Sequence, residues 1–327
     1  MALALPQVYA RGMEKPPATN PIVSKNEDSL RGFGFALTAY LLWGFLPVFM
    51  KALAHISPAE VIAHRVIWSI PIAGAVLWAT GRSADLLIAI RSPRMLGMAA
   101  LTASLITVNW GIYVWAIGAG HALDTALGYY INPLFSIFLG AVLLGEKLSR
   151  AQIAAIALAA LAVTVLTIDA GRLPITAIAL TVSWGFYAYL KKSLPIGPNQ
   201  GFFLEILLLL VPALGYVAWL QWHGTGHFMK DVPSDTILLL CCGLVTAVPL
   251  MIYANGAKLL RLSTIGIMQY IAPTMIFLTA VFVFDEPFGR PQMIAFAMIW
   301  TALAIYTVSF VAQARAASKA RASAVAD

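Results

Sequence analysis

Residues 126–133 read ALGYYINP and residues 266–273 read GIMQYIAP. Tyr130, Ile131 and Pro133 therefore return 140 positions later as Tyr270, Ile271 and Pro273. The match continues at the same offset through Glu146, Arg150 and Gln152, which meet Glu286, Arg290 and Gln292. Toward the N-terminus, Pro93 and Tyr113 return as Pro233 and Tyr253. At offset 141, Trp43, Gly44, Phe45 and Lys51 meet Trp184, Gly185, Phe186 and Lys192. The chain reads as two copies of one unit, 31–170 and 171–313, with tails at 1–30 and 314–327.

With 61% hydrophobic and 11% charged residues in 327, there is too little charge to cover a soluble domain of this size. Mean hydropathy is +0.84. Ten apolar runs are long enough to cross a bilayer. They fall at 33–54, 58–80, 95–117, 122–144 and 151–168, then 173–190, 201–220, 236–257, 264–284 and 291–312. None alternates with period two, and lipid cannot satisfy exposed backbone, so the spans are expected to be helices. Five spans per copy, an odd number, put the second copy upside down. The expected fold is an all-α integral membrane protein with ten transmembrane helices in two inverted five-helix repeats. Such repeats let a central site open alternately to either side. A duplication retained for stability alone is the competing reading.

The net charge of +7 invites a nucleic-acid reading, but the basic residues follow loop parity. Sixteen of the 21 Lys and Arg fall in segments that share a side with the N-terminus. Only Lys51, Arg172, Lys230 and Arg290 fall on the other side, and Arg65 lies inside a span. This bias places both termini in the cytoplasm and leaves no nucleic-acid partner expected. The first 30 residues, with Pro16, Pro17 and Pro21, read as a disordered cytoplasmic tail without a cleaved signal. Cys241 and Cys242 are adjacent inside a span and read as packing residues. No nucleotide-binding loop, paired zinc pattern or nucleophile elbow occurs in a suitable context. Catalytic residues, metals and cofactors are not expected.

Ionisable groups inside a membrane are costly, and those present mark candidate function. Glu60 and His64 share a face of the second span at i, i+4 spacing, with Arg65 alongside. They suit carboxylate binding or proton relay; a mutual Glu60–His64 pair with Arg65 snorkelling outward is the alternative. Glu205 in the seventh span aligns with His64 at offset 141. A pair so placed suits a zwitterionic solute, or a structural salt bridge. Pro133 in the fourth span and Pro273 in the ninth are expected to kink their helices near mid-membrane, beside Tyr130, Asn132, Gln269 and Tyr270. Asn109, Trp110 and Tyr113 form a polar and aromatic stripe, with Trp43 and Trp184 as further rings for stacking. Ordinary core packing is the alternative for each ring. The fifth and tenth spans are rich in small and aliphatic residues and read as scaffold or homodimer surface.

At these residues the chain resembles the RarD subgroup of the EamA family, in the drug/metabolite transporter superfamily. The resemblance rests on Ala39–Pro47 (AYLLWGFLP), Ala63–Ser69 (AHRVIWS), Ala126–Pro133 (ALGYYINP), Gly145–Lys147 (GEK), Val245–Leu250 (VTAVPL) and Leu260–Pro273 (LRLSTIGIMQYIAP). It implies an inner-membrane permease that exports small metabolites or amino acids, with Glu146 and Glu286 as helix-end or loop anchors.

The residues expected to contact solute are Trp43, His64, Arg65, Asn109, Trp110, Tyr113, Tyr130, Asn132, Trp184, Glu205, Gln269 and Tyr270. Glu60, His64 and Asp124 are the candidates for proton coupling. The expected partners are a small-molecule solute and membrane lipid. An intramembrane enzyme acting on lipid or peptide, and a non-transporting structural subunit, are the competing functions.

Overall fold

A computed structural model describes residues 29–81, 83–144, 148–192, 197–230, 232–257, 259–260 and 268–326. The N-terminal tail and Glu146 lie outside them. Every regular element among the described residues is a helix. They are α1 (Leu30–Ala52), α2 (Pro58–Ala79), α3 (Ser83–Ile90), α4 (Pro93–Gly118), α5 (Ala122–Leu144), α6 (Arg150–Ala170), α7 (Ile175–Lys192), α8 (Pro198–Trp222), α9 (Pro233–Ala257), α10 (Ile271–Phe282) and α11 (Arg290–Ala326). Eight are long and apolar enough to cross a membrane, and α7 and α10 are shorter apolar helices, which together make ten. The short α3 lies between the second and third spans, where no element was expected.

Local chemistry sets the helix starts. Ser57 accepts the Glu60 N–H at 3.2 Å and Pro58 occupies the first turn of α2, where its missing N–H costs nothing. Ser149 and Gln152 form a reciprocal capping box on α6, at 3.3 and 2.8 Å. Proline behaves differently in the two copies. Pro133 sits inside a helix that continues through it, whereas Pro273 falls in the first turn of α10, where proline fits without interrupting anything. The matched kinks expected at these two residues are therefore not a matched pair. At the other end of the chain, α11 runs on to Ala326, beyond the expected end of the tenth span and through the expected C-terminal tail.

Helix packing follows the repeat. Exchanging α1 with α7, α2 with α8, α4 with α9, α5 with α10 and α6 with α11 carries the principal helix pairings onto one another. Thus α1 packs on α9 and α10 as α7 packs on α4 and α5, while α2 meets α8, α5 meets α10 and α6 meets α11. The fold is two inverted five-helix repeats. The largest departure from the exchange is that α2 lies far more closely along α9 than α8 does along α4. Gly243 allows this approach, since a Cβ there would collide with the Trp68 backbone. On α5, Gly128 has a similar role, because a Cβ would lie 2.8 Å from the Ala177 carbonyl of α7. The small faces of α6 and α11, including Ala155, Ala159, Ala162, Ala295 and Ala302, are buried in one core within the chain. Phe45, Val48, Leu101, Val211 and Trp219 face outward, as helices in lipid require.

Candidate functional site

Below, the face carrying the α1 N-terminus is the near face and the opposite one the far face. Arg65 lies about 10 Å from the far end of α2, at 1.5 Å per residue. It is 4% exposed. Its Nε donates to the Thr246 hydroxyl of α9 at 2.9 Å, and its guanidinium lies 4.4 Å from the centre of the Trp110 ring on α4. Trp110 thus supplies an electron-rich face to a buried cation. Tyr113, one turn along α4, and Tyr129 on α5 are close enough to interact electrostatically with Arg65, and their rings lie 6.0 Å apart. The Nη1 of Arg65 and the hydroxyl of Tyr113 are buried without a hydrogen-bond partner. Four helices, three from the first copy and one from the second, converge on this centre.

Some of its neighbours have unpartnered buried polar atoms and others fasten helices together. His64 is 1% exposed; its Nδ1 accepts the Trp68 N–H at 3.0 Å, its ring lies 4.9 Å from Phe228, and its Nε2 has no partner. Glu60 does not pair with His64. It accepts both the backbone N–H of His227, at 2.7 Å, and the His227 ring, at 2.9 Å, so a carboxylate on α2 holds the α8–α9 loop. Asn109 donates to the Leu180 carbonyl at 3.1 Å and to the Ser183 hydroxyl at 2.9 Å, which fastens α4 to α7. Thr181 adds a bond to the Gly128 carbonyl at 2.9 Å. Trp184 and Tyr187 on α7 pack into the same core as Trp110, their rings 5.7 Å apart. The Tyr187 hydroxyl donates to the buried Glu205 of α8 at 3.2 Å.

Other expected site residues lie elsewhere. Trp43 packs with Tyr40 and Tyr253 in a separate aromatic group. Tyr130 bonds Thr274 at 2.7 Å, stacks on Tyr270 and touches Phe296 and Trp300, so it belongs to the α5–α10–α11 core. Gln269 is partly buried just before α10. Asn132 is buried with an unpartnered Oδ1. Asp124 is not deep in the bundle: it lies in the first turn of α5, 3.7 Å from His121, with its side chain 36% exposed. A groove of about 260 Å³ between the α1–α2 turn and the end of α4, lined by Leu53, Ile56, Val114 and Trp115, is distinct from the Arg65 centre.

The sequence reading did not select Thr246, Trp68, His227 or Phe228. Thr246 has no repeat partner, since offset 140 leads back to Ile106. His227 meets Glu60 across 167 residues, a contact no local pattern reveals. Among the described residues, no group of three or more His, Cys, Asp or Glu side chains is placed to hold a metal ion.

The model of the EamA-like transporter family matches residues 30–168. A RarD protein of Streptomyces exfoliatus is 40% identical over 278 residues, 85% of this chain and 87% of its own length. This chain belongs to the EamA family and is of the RarD type. The RarD of Escherichia coli K12 is 37% identical, over 90% of this chain and 99% of its own. An uncharacterized transporter of Vibrio cholerae is 39% identical, over 90% and 98%. A solved crystal structure with a TM-score of 0.56 and 20% identity covers 85% of this chain and 96% of the other, and it speaks for the fold alone. The chain is a multi-pass membrane protein, and some of its relatives are named as transporters.

Proposed function

We propose that this RarD-type protein is a secondary permease that moves a small amphipathic or zwitterionic metabolite, amino-acid-like or drug-like, across the bacterial inner membrane by alternating access. The observation that carries this reading is the uneven pairing of equivalent helices, α2 close on α9 but α8 looser on α4. An inverted pair of units in one of two exchangeable states has this asymmetry, and reversing it would present the centre to the other side. Buried polar atoms without partners, on His64, Arg65 and Tyr113, support a solute site there, since such atoms are costly unless a ligand or water meets them. The charge bias supports cytoplasmic termini, which makes the near face the inner one. Export is the direction that the family resemblance favours.

Purified protein in liposomes should exchange internal labelled solute for external unlabelled solute when offered a panel of amino acids, small metabolites and amphenicols. Absence of exchange for every class on the panel would refute the reading.

A further inference from the structure

Arg65 is a buried cation without an anion. Among the described residues it forms no ion pair. Glu60, five residues earlier on the same helix, is occupied by His227, and Glu205 is hydrogen-bonded to Tyr187. The groups facing Arg65 from the surrounding helices are Thr246, Cys242, Trp110, Tyr113 and Tyr129, none of them a carboxylate. An indole face and one hydroxyl compensate a guanidinium far less than a carboxylate does, and a buried charge left in this condition destabilises the fold that holds it.

We infer that the missing anion is a carboxylate of the transported solute, bound at Arg65 Nη1 with the Tyr113 hydroxyl as a second donor. The inference rests on the permease reading and narrows its substrate class. A guanidinium presents planar N–H groups matched to the two oxygens of a carboxylate, and Thr246 fixes the orientation of that plane through Nε. The Trp110 ring under the guanidinium offers an apolar surface to the body of the solute. A cationic solute would meet Arg65 with like charge, and a neutral one would leave the cation unbalanced.

Two features make the idea testable without knowing the natural solute. Thr246 also donates to the Cys242 carbonyl at 2.7 Å, so removing Arg65 leaves its hydroxyl partnered. Arg65→Met, similar in length and uncharged, should then melt no lower than the parent protein in the absence of solute. A structural arginine would show the opposite. The second measurement compares melting temperature in sodium benzoate and indole-3-acetate with that in benzamide and indole-3-acetamide, ionic strength matched with sodium chloride. The carboxylates should raise it with concentration and the amides should not. Arg65→Met should abolish the shift, and Arg65→Lys should need at least tenfold more carboxylate. Unfolding or a lowered melting point in Arg65→Met, an equal response to amides, no carboxylate response in the parent, or a response that survives Arg65→Met would each overturn the inference. Liposome exchange separates the two levels of failure. Exchange of neutral or cationic solutes but of no carboxylate by the parent removes the anion site and leaves the permease, whereas no exchange of any solute by the parent removes both.

Discussion

The carboxylate of Glu286 accepts the backbone N–H of Ala122 at 2.7 Å and, with its other oxygen, that of Leu123 at 2.8 Å. Glu286 precedes α11 in the second repeat; Ala122 and Leu123 open α5 in the first. The first N–H groups of a helix have no partner within it and lie at the positive end of its dipole, so a buried carboxylate fits there well. Glu286 is 8% exposed, which keeps the contact dry. The bond therefore clamps the two repeats together at the far face.

Glu286→Gln should weaken that clamp. An amide supplies one acceptor oxygen and no charge, and hydrogen bonds to charged groups contribute about 1.5–3 kcal/mol each. The expected loss is about 2 kcal/mol, read as a lower melting temperature of the purified protein. A cysteine introduced by Ala119→Cys, at an exposed position with ordinary helical dihedrals and with Cys241 and Cys242 replaced, should react faster with a membrane-impermeant maleimide in the variant. Parental stability and labelling would show that the clamp bears no load.

Gly243→Ala tests the tight α2–α9 approach in the same conformation. The added methyl meets the Trp68 backbone, which cannot rotate away as a side chain could, so α2 and α9 must separate. Overpacking of this kind costs typically about 1–3 kcal/mol. The variant should melt lower, and it should bias the protein toward the state in which α2 and α9 lie apart. Cysteine accessibility along α9 reads that bias, and an unchanged pattern would separate the crossing from the transport cycle.

Much of this arrangement could be read from the residues. Apolar run length located ten helices, and the offset of 140 paired them correctly, because both are backbone-level consequences of lipid and duplication. Helical spacing puts Trp110 and Tyr113 together beside Arg65, whereas Asn109 turns to α7, a direction the spacing alone does not fix. What stayed hidden depends on contacts between distant segments. Glu60 meets His227 and not His64, because the loop donor lies in front of the carboxylate while the His64 ring turns to Trp68. The extent of α11 was missed for another reason: hydropathy falls after residue 312, but the Ala-, Lys- and Arg-rich sequence beyond it has high helix propensity. Glu146, the repeat partner of Glu286, lies outside the described residues.

Asn109 and Asn132 had equal standing in the sequence, and the structure separates them. Asn109→Ala removes two buried bonds to α7 and leaves the Leu180 carbonyl with one donor fewer, so a loss of about 1–3 kcal/mol in stability is expected. The Oδ1 of both residues is buried without a partner, and the two Nδ2 bonds of Asn109 are what distinguish them, so Asn132→Ala should keep the melting temperature within a degree or two while liposome flux falls at least several-fold. Equal melting losses in the two variants would make both asparagines fasteners.

Proton coupling, if the permease uses it, needs a titratable group that reaches water at the far face and communicates with the bundle. Asp124 fits the first requirement, about a third exposed (36%) beside His121, and it stands one residue from the Leu123 N–H held by Glu286. His64 fits the second, its free Nε2 buried beside Arg65 on α2. Liposome flux should therefore respond to an imposed pH gradient, with Asp124→Asn and His64→Gln each losing the response while retaining exchange at equal pH. Flux that ignores the gradient in the parent protein would make the carrier a uniporter and return Asp124 to a role at the end of α5, where an acidic side chain is favoured by the helix dipole alone.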